Sequence, residues 1–564
     1  MKLSIYRKSV LSFLLCTMIV TISARAQTVG LILNDSTSFN GYTLFSPIPY
    51  PFTYLIDNDG MLVHSWERTN RVAGMAYFLE TGELLRPSRI ANQNFNTAGA
   101  GGFVELIDWE GNTTWEFTYN SDQYRPHHDI EPLPNGNVLM IAWELKSYAE
   151  AIAAGRDTAL LVDGELWPDH IIEVQPTGPS SGNIVWEWHV WDHLIQDFDS
   201  TKENYGVVGD HPELIDLNWD PGGLNAGIAD CMHTNAIDYN EELDQIILTV
   251  RKFSEIWVID HSTTTAQAAG HSGGDYGKGG DLLYRWGNPQ TYRHGTASDR
   301  KLFAPHDGSW IEEGNPGASN ILVFNNGQGR PQGNYSTVDE IVPPIDSTGN
   351  YAIGPDTTYG PDEPIWIYQA PNPLDFYSST WSGAQRLPNG NTLICEAING
   401  KFFEVAPDTE IVWIYINPVT DIGPVYQGTI IPPAENRLSK ILRYAPEYPG
   451  FEGHTLVPLG PIELYTGVYE HETTSPENIV LLQNTPNPFN DETVIGFQLA
   501  NACQVTLTVY NITGQAVSTL VDGHMDAGYH TVILDAGNSP NGVYYYQLKT
   551  AEGTQVRRCV LLRD

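Results

Sequence analysis

The chain has 564 residues, 68 of them acidic and 29 basic, with a formal net charge of -39. A field of that sign repels nucleic acid and anionic membranes, so no nucleic-acid partner is expected. Gly, Pro, Trp and Tyr are plentiful and runs of helix formers are scarce, which argues against a helical protein; the length suits one large domain and a smaller one.

Residues 1–26 have a basic start, an apolar run from Val10 to Ile22 and a small-residue end at Ala24-Arg25-Ala26. The pattern predicts a secretory signal peptide cut before Gln27, since the apolar run is short for a spanning helix. Its loss removes four basic groups and no acid, taking the net charge to -43. Four cysteines remain, Cys231, Cys395, Cys503 and Cys559, in no zinc or redox spacing. A Cys503–Cys559 disulfide is open to an exported chain.

A unit of short strands and turns then recurs. In "DIEPLPNGNVLMIAWE" and "AQRLPNGNTLICEA" an Asn-Gly turn joins two strands, and "NAIDYNEELDQIILTV" follows the same plan. A second hairpin ends on a Trp-rich strand, as in "FVELIDWEGNTTWEF" and "FFEVAPDTEIVWIYI". Four strands per unit without helical periodicity predict an all-β fold, a six-bladed β-propeller. Its blades are expected near 40–85, 100–145, 165–260, 280–325, 360–415 and, weakly, 435–460. The expected bounds are 27–465 for the propeller, 466–477 for a linker and 478–564 for a small immunoglobulin-like β-sandwich. In the sandwich Val505, Leu507 and Val509 share one face of a strand, as do Val543 and Tyr545.

Three histidines fall at related places in these units. His128 and His233 each stand seven residues before an asparagine, Asn135 and Asn240, and Ser382 stands seven before Asn389. His306 leads a longer turn before an equivalent strand. Each is expected just ahead of the innermost strand of its blade, so His128, His233 and His306 converge at the channel mouth. Asn235 follows His233 by two residues, and Arg251 ends the next strand. Imidazoles, an amide and a guanidinium around one mouth suit a tetrahedral anion. The same imidazoles, with Asp129, Asp238 and Asp307 nearby, also suit a metal, as in a metal-assisted sulfatase or phosphatase. A secreted, non-catalytic binding propeller is the remaining alternative.

The stretches "HHDIEPLPNGNVL", "MHTNAIDYNEELDQIILTVRKFSEIWVID", "RWGNP", "PHDGSW", "ILVFNNGQGRP" and "SGAQRLPNGNTLICEA" resemble, as a set, the bacterial arylsulfotransferase (aryl-sulfate sulfotransferase) family over about residues 50–415. That family works without a nucleotide sulfate donor. The resemblance implies a six-bladed propeller that moves a sulfuryl group from a phenolic sulfate ester to a phenol through a sulfo-histidine. By match of motif His306 is the nucleophile, His233 and Asn235 are the H-x-N pair, and Arg251 is the arginine after the following strand. His128, rather than His127, matches the histidine of the earlier blade. A protonated histidine is expected to help Arg251 and Asn235 hold the charge. No cofactor is implied, and structural calcium is left open at "DIGPVYQ" and "PDTTYGPDE".

The segments "NTPNPFNDETVIGFQL", "VTLTVYNITGQAV" and "NGVYYYQL" resemble a C-terminal secretion-system sorting domain of Bacteroidetes-like bacteria. That resemblance implies passage through the periplasm to the outer-membrane secretion machinery, and a secreted or cell-surface location.

Overall fold

The computed structural model describes residues 27–563, except 223–225, 355–357, 466–468, 472–478, 485, 488, 512–514, 538 and 552. The expected signal peptide, most of the expected linker and part of the "PDTTYGPDE" loop therefore lie outside the described residues.

Six four-stranded antiparallel sheets follow one another. The second to fifth run straight through the chain: Tyr77–Phe78 to Thr113–Thr118, Tyr124–Pro132 to Ser181–His189, Thr234–Asn240 to Tyr284–Trp286, and His306–Trp310 to Trp366–Tyr368. The sixth, Gly383–Arg386 to Ile411–Ile416, gains a fifth strand, Gly30–Asn34, at its outer edge. The first is built from both ends of the propeller, because Ile441–Tyr444 pairs with Tyr42–Phe45 as its innermost strand. No separate blade forms near 435–460, and the expected windows 40–85, 100–145, 165–260, 280–325 and 360–415 each straddle two sheets. Both hairpins of a unit look alike in sequence, so its phase is ambiguous by half a repeat.

The Trp-rich outer strands have a definite job. Trp66, Trp115, Trp186, Trp286, Trp366 and Trp413 donate their indole N–H groups to Asp108, Ser181, Thr263, Pro361, Pro407 and Asn58 respectively, at 2.8–3.1 Å. Each acceptor lies at the connection between the third and fourth strands of the next sheet, and the last bond returns to the first sheet. The ring is thus stitched all round its rim. A buried indole N–H needs a partner, and here each one fixes the angle of its neighbour.

The C-terminal region packs two four-stranded sheets around a core that includes Phe497, Val505, Leu507, Val509, Tyr546 and Leu548. On strand Gly542–Thr550, Tyr544, Tyr546 and Leu548 face this core; Val543 and Tyr545 do share a face, but it is the outer one. Three consecutive tyrosines leave no alternation to set the phase. The Cys503–Cys559 disulfide is ruled out by register. Cys559 pairs with Tyr544, and Tyr544 with Asn511, eight positions along the strand from Cys503, or about 26 Å.

Candidate active site

The innermost strands of successive sheets pack against one another and share a kink. His128 lies inside its strand at φ +58°, His233 immediately precedes its strand at +57°, and His306 opens its strand beside Asp307 at +51°. Ser382 takes +89° at the corresponding joint. Strand pairing slips beside all three histidines. A bulge re-aims the side chain it carries, and left-handed backbone at a non-glycine residue costs about 1–3 kcal/mol, so the surrounding structure must hold it. The expectation that every histidine stands ahead of its strand holds only for His233.

These kinks bring the predicted residues together. The rings of His128 and His233 are 4.5 Å apart, and Trp381 lies 5.3 Å from His128. His128, Asn235, His306, Asp307, Trp381 and Ser382 line a cavity of about 10 Å³, room for one water. Arg251 stands behind His233, its backbone N–H bonded to the His233 carbonyl at 3.4 Å, and its Nη2 donates to Gln328 Oε1 at 2.7 Å. Asn235 Nδ2 donates to the Pro305 carbonyl at 2.9 Å. Two polar atoms of the group, Arg251 Nε and Asn235 Oδ1, are buried without a protein partner.

The hydrogen bonds settle the tautomers. Asn326 gives both amide hydrogens to the Ser378 and Trp381 carbonyls, so its Oδ1, 2.7 Å from His306 Nδ1, can only accept. His306 is therefore protonated at Nδ1 and carries its lone pair on Nε2, where the Trp381 backbone N–H caps it at 3.0 Å. Asp230 Oδ2 accepts from His233 Nδ1 at 2.5 Å, which leaves the His233 lone pair on Nε2. Asp169 Oδ1 faces His127 Nε2 at 3.2 Å, and His127 Nδ1 faces His128 Nδ1 at 2.8 Å. With neutral rings that chain places the His128 lone pair on Nε2 too. His127, stacked on Trp143 at 3.9 Å, is thus a support for His128.

Burial, then neighbouring positive groups that include Arg251, holds His128 and His306 well below the usual imidazole range. His233 is also lowered, chiefly by burial, although Asp230 pulls the other way. Burial thus favours the neutral form of these imidazoles, and Arg251 adds positive charge beside them.

Asp129, Asp238 and Asp307 tie adjacent blades. Their carboxylates accept from the backbone N–H groups of Ile237, Trp310 and Ala384 at 3.5, 2.8 and 3.0 Å. Lys440, which no sequence motif marks, bridges Asp129 at 3.1 Å and Asp307 at 2.8 Å beneath the histidines. Among the described residues the three channel histidines do not bring one ligand atom each within 4.8 Å of one another. Asn326, Asp169 and Asp230 were also missed. Their only signal is position beside a strand end, which does not distinguish them from turn residues.

Gly99, at φ +76°, packs directly on His128, and a Cβ there would meet three ring atoms at 2.3–2.5 Å. Gly99→Ala is expected to push His128 out of the cluster and cut turnover about tenfold or more while the protein stays folded. Steady-state kinetics with a circular dichroism control checks this.

Residues 50–421 match the family described as Arylsulfotransferase (ASST), and residues 485–562 match the Secretion system C-terminal sorting domain. No curated protein matches the chain. Among solved structures it is similar, at 12% identity and a TM-score of 0.39, to a protein of unknown function from Bacteroides caccae, over 72% of this chain and 99% of that one. It is also similar, at 12% identity and a TM-score of 0.32, to virginiamycin B lyase from Staphylococcus aureus, over 71% of this chain and 87% of that one. Such remote likenesses leave activity to the site itself. The tail marks the chain for export, to the cell surface or beyond it. By the match that spans its propeller, and with the histidines of that propeller gathered at one point, the chain belongs to the arylsulfotransferase family.

Proposed function

We propose that the protein moves a sulfuryl group from a phenolic sulfate ester to a phenol through a sulfo-histidine at His306. The observation that carries this reading is the fixed His306 tautomer, with a neutral Nε2 lone pair facing a cavity shared with His128 and Asn235. In the first step Nε2 forms a bond to sulfur as the sulfur–oxygen bond to the donor ring breaks, and the electron pair leaves on the phenolate, which takes a proton from solvent. Attack puts positive charge on the His306 ring, and Asn326 Oδ1 is placed to accept from its Nδ1–H. The unpartnered Arg251 Nε–H and the second hydrogen of Asn235 Nδ2, whose first goes to the Pro305 carbonyl, suit the sulfuryl oxygens.

In the second step the incoming phenol gives its proton to His233 Nε2, and Asp230 stabilises the resulting imidazolium. The phenol oxygen then attacks sulfur, the sulfur–nitrogen bond breaks, and His306 recovers its lone pair. The water-sized cavity requires Trp381 to withdraw its N–H from Nε2 before donor can enter.

Incubation with 4-nitrophenyl sulfate and a phenol should release 4-nitrophenol and yield a new aryl sulfate, with little inorganic sulfate. Transfer is expected to survive dialysis against EDTA once calcium is restored. Equal sulfate release with and without phenol, together with a zinc-dependent rate, would instead favour a metal-assisted hydrolase.

The pH profile follows from burial. His306 is depressed, so its lone pair is present at neutral pH and is lost only when acid reaches the lowered value. The single-turnover burst of 4-nitrophenol is expected to stay level down to about pH 6.5, the ordinary imidazole value, and to fall only well below it. A fall centred on that ordinary value would mean a solvated His306.

A further inference from the structure

The geometry points to a divalent-metal site, built from His193, His271 and Asp281, on the outer side of the propeller. His193 Nδ1 and His271 Nδ1 lie 2.9 and 2.7 Å from the same oxygen, Asp281 Oδ1, and all three candidate ligand atoms fall within 4.8 Å of one another. His193 is fully buried and its ring is held on three sides. Trp188 stacks on it at 5.6 Å and 8°, the Ala268 carbonyl receives its Nε2 at 2.8 Å, and Gly280 lies so close that a Cβ would meet Nε2 at 2.6 Å. A carbonyl can only accept, so Nε2 carries the hydrogen, and a neutral His193 points its Nδ1 lone pair at a carboxylate oxygen. Two lone pairs facing each other in a buried site need either a second proton or a cation between them. Fixing an imidazole through its far nitrogen is how proteins orient a metal ligand.

Two imidazoles and one carboxylate form the donor set of a zinc-class ion. Tetrahedral bonds of about 2.1 Å place ligand atoms about 3.4 Å apart, so the two pairs would open by about 0.5 and about 0.7 Å on binding. His271 is 62% exposed and lies on the rim of a 660 Å³ cavity that also borders Trp191, His211 and Leu214, which gives the ion a route in and a water as fourth ligand. The ligands come from two places, the turn Val190–His193 after the third sheet and the connection between Glu255–Asp260 and Tyr284–Trp286 in the fourth. The ion would staple these two blades, away from the channel histidines.

Titration of the EDTA-stripped full chain with zinc by calorimetry, and with cobalt by visible absorption, tests the site. About one equivalent should bind, with the ligand-field bands of low-coordinate cobalt, and zinc should raise the melting temperature. His271→Ala, which removes an exposed ring, and Asp281→Asn should each weaken binding at least about tenfold and abolish the thermal shift. Failure of the wild type to bind stoichiometric zinc, or unchanged binding in both variants, overturns the assignment and leaves His193 as a doubly protonated ring between the Ala268 carbonyl and Asp281.

Discussion

His306→Ala is expected to lower the rate of aryl-sulfate turnover by about a thousandfold or more and to eliminate the covalent adduct, a gain of about 80 Da on the intact chain. The loss should fall on kcat, because the alanine removes the atom to which sulfur bonds and not the groups that receive the donor. His233→Ala should differ in kind. Its burst of 4-nitrophenol should persist, since a good leaving group needs no acid, while delivery to the phenol acceptor slows. Retention of full transfer by His306→Ala would show that another nitrogen attacks, and His128 Nε2 would be the next candidate.

Lys440→Met is expected to destabilise the propeller by about 3–5 kcal/mol, the cost of stranding buried charge. Lys440 Nζ sits between the Asp129 and Asp307 carboxylates, and Asp129 also accepts from the Tyr77 hydroxyl at 3.0 Å. Burial works against the ammonium, yet Asp129 and Asp307 hold its pKa well above the ordinary lysine value. A raised pKa means that the stabilisation is complete below the unfolded value of about 10.4 and fades only as pH climbs through the folded one. The deficit of the variant should therefore be constant from neutral pH to about 10. On acidification it should shrink as Asp129, whose carboxyl burial pushes up, takes a proton. Denaturant unfolding across pH measures this, and Lys440→Met with Asp307→Asn should recover part of the loss. A variant as stable as the wild type would mean that solvent reaches both carboxylates.

The histidine cluster was legible because a fixed distance to a turn asparagine, Asn135 or Asn240, gives the same register in two blades, and register decides which side chains face the channel. What surrounds the cluster was not. Asn326 stands in plain view in "ILVFNNGQGRP", but only the carbonyls of Ser378 and Trp381 turn its oxygen toward His306. Asp230 and Asp169 become partners of histidines through bulges that no periodicity announces. Lys440 was invisible for a different reason. Its blade is divided between residues 42–67 and 441–444, so the repeat that exposed the other inner strands is broken there. The tryptophans were recognised as a feature of outer strands, yet their acceptors lie in the next blade, and pairing across blades leaves no trace in a single repeat.

The divided first blade also sets an order of events. Lys440 meets Asp129 and Asp307 across 311 and 133 residues of chain. A growing polypeptide exposes all three channel histidines well before it has made the strand Ile441–Tyr444 that joins the two ends of the ring. Contacts so distant in sequence form late and slowly. An incomplete chain of this protein therefore holds its channel histidines on an open arc, and the proposed transfer would begin only after the last inner strand has been synthesised and docked. For an exported enzyme, that delay separates the making of the chain from the start of its activity.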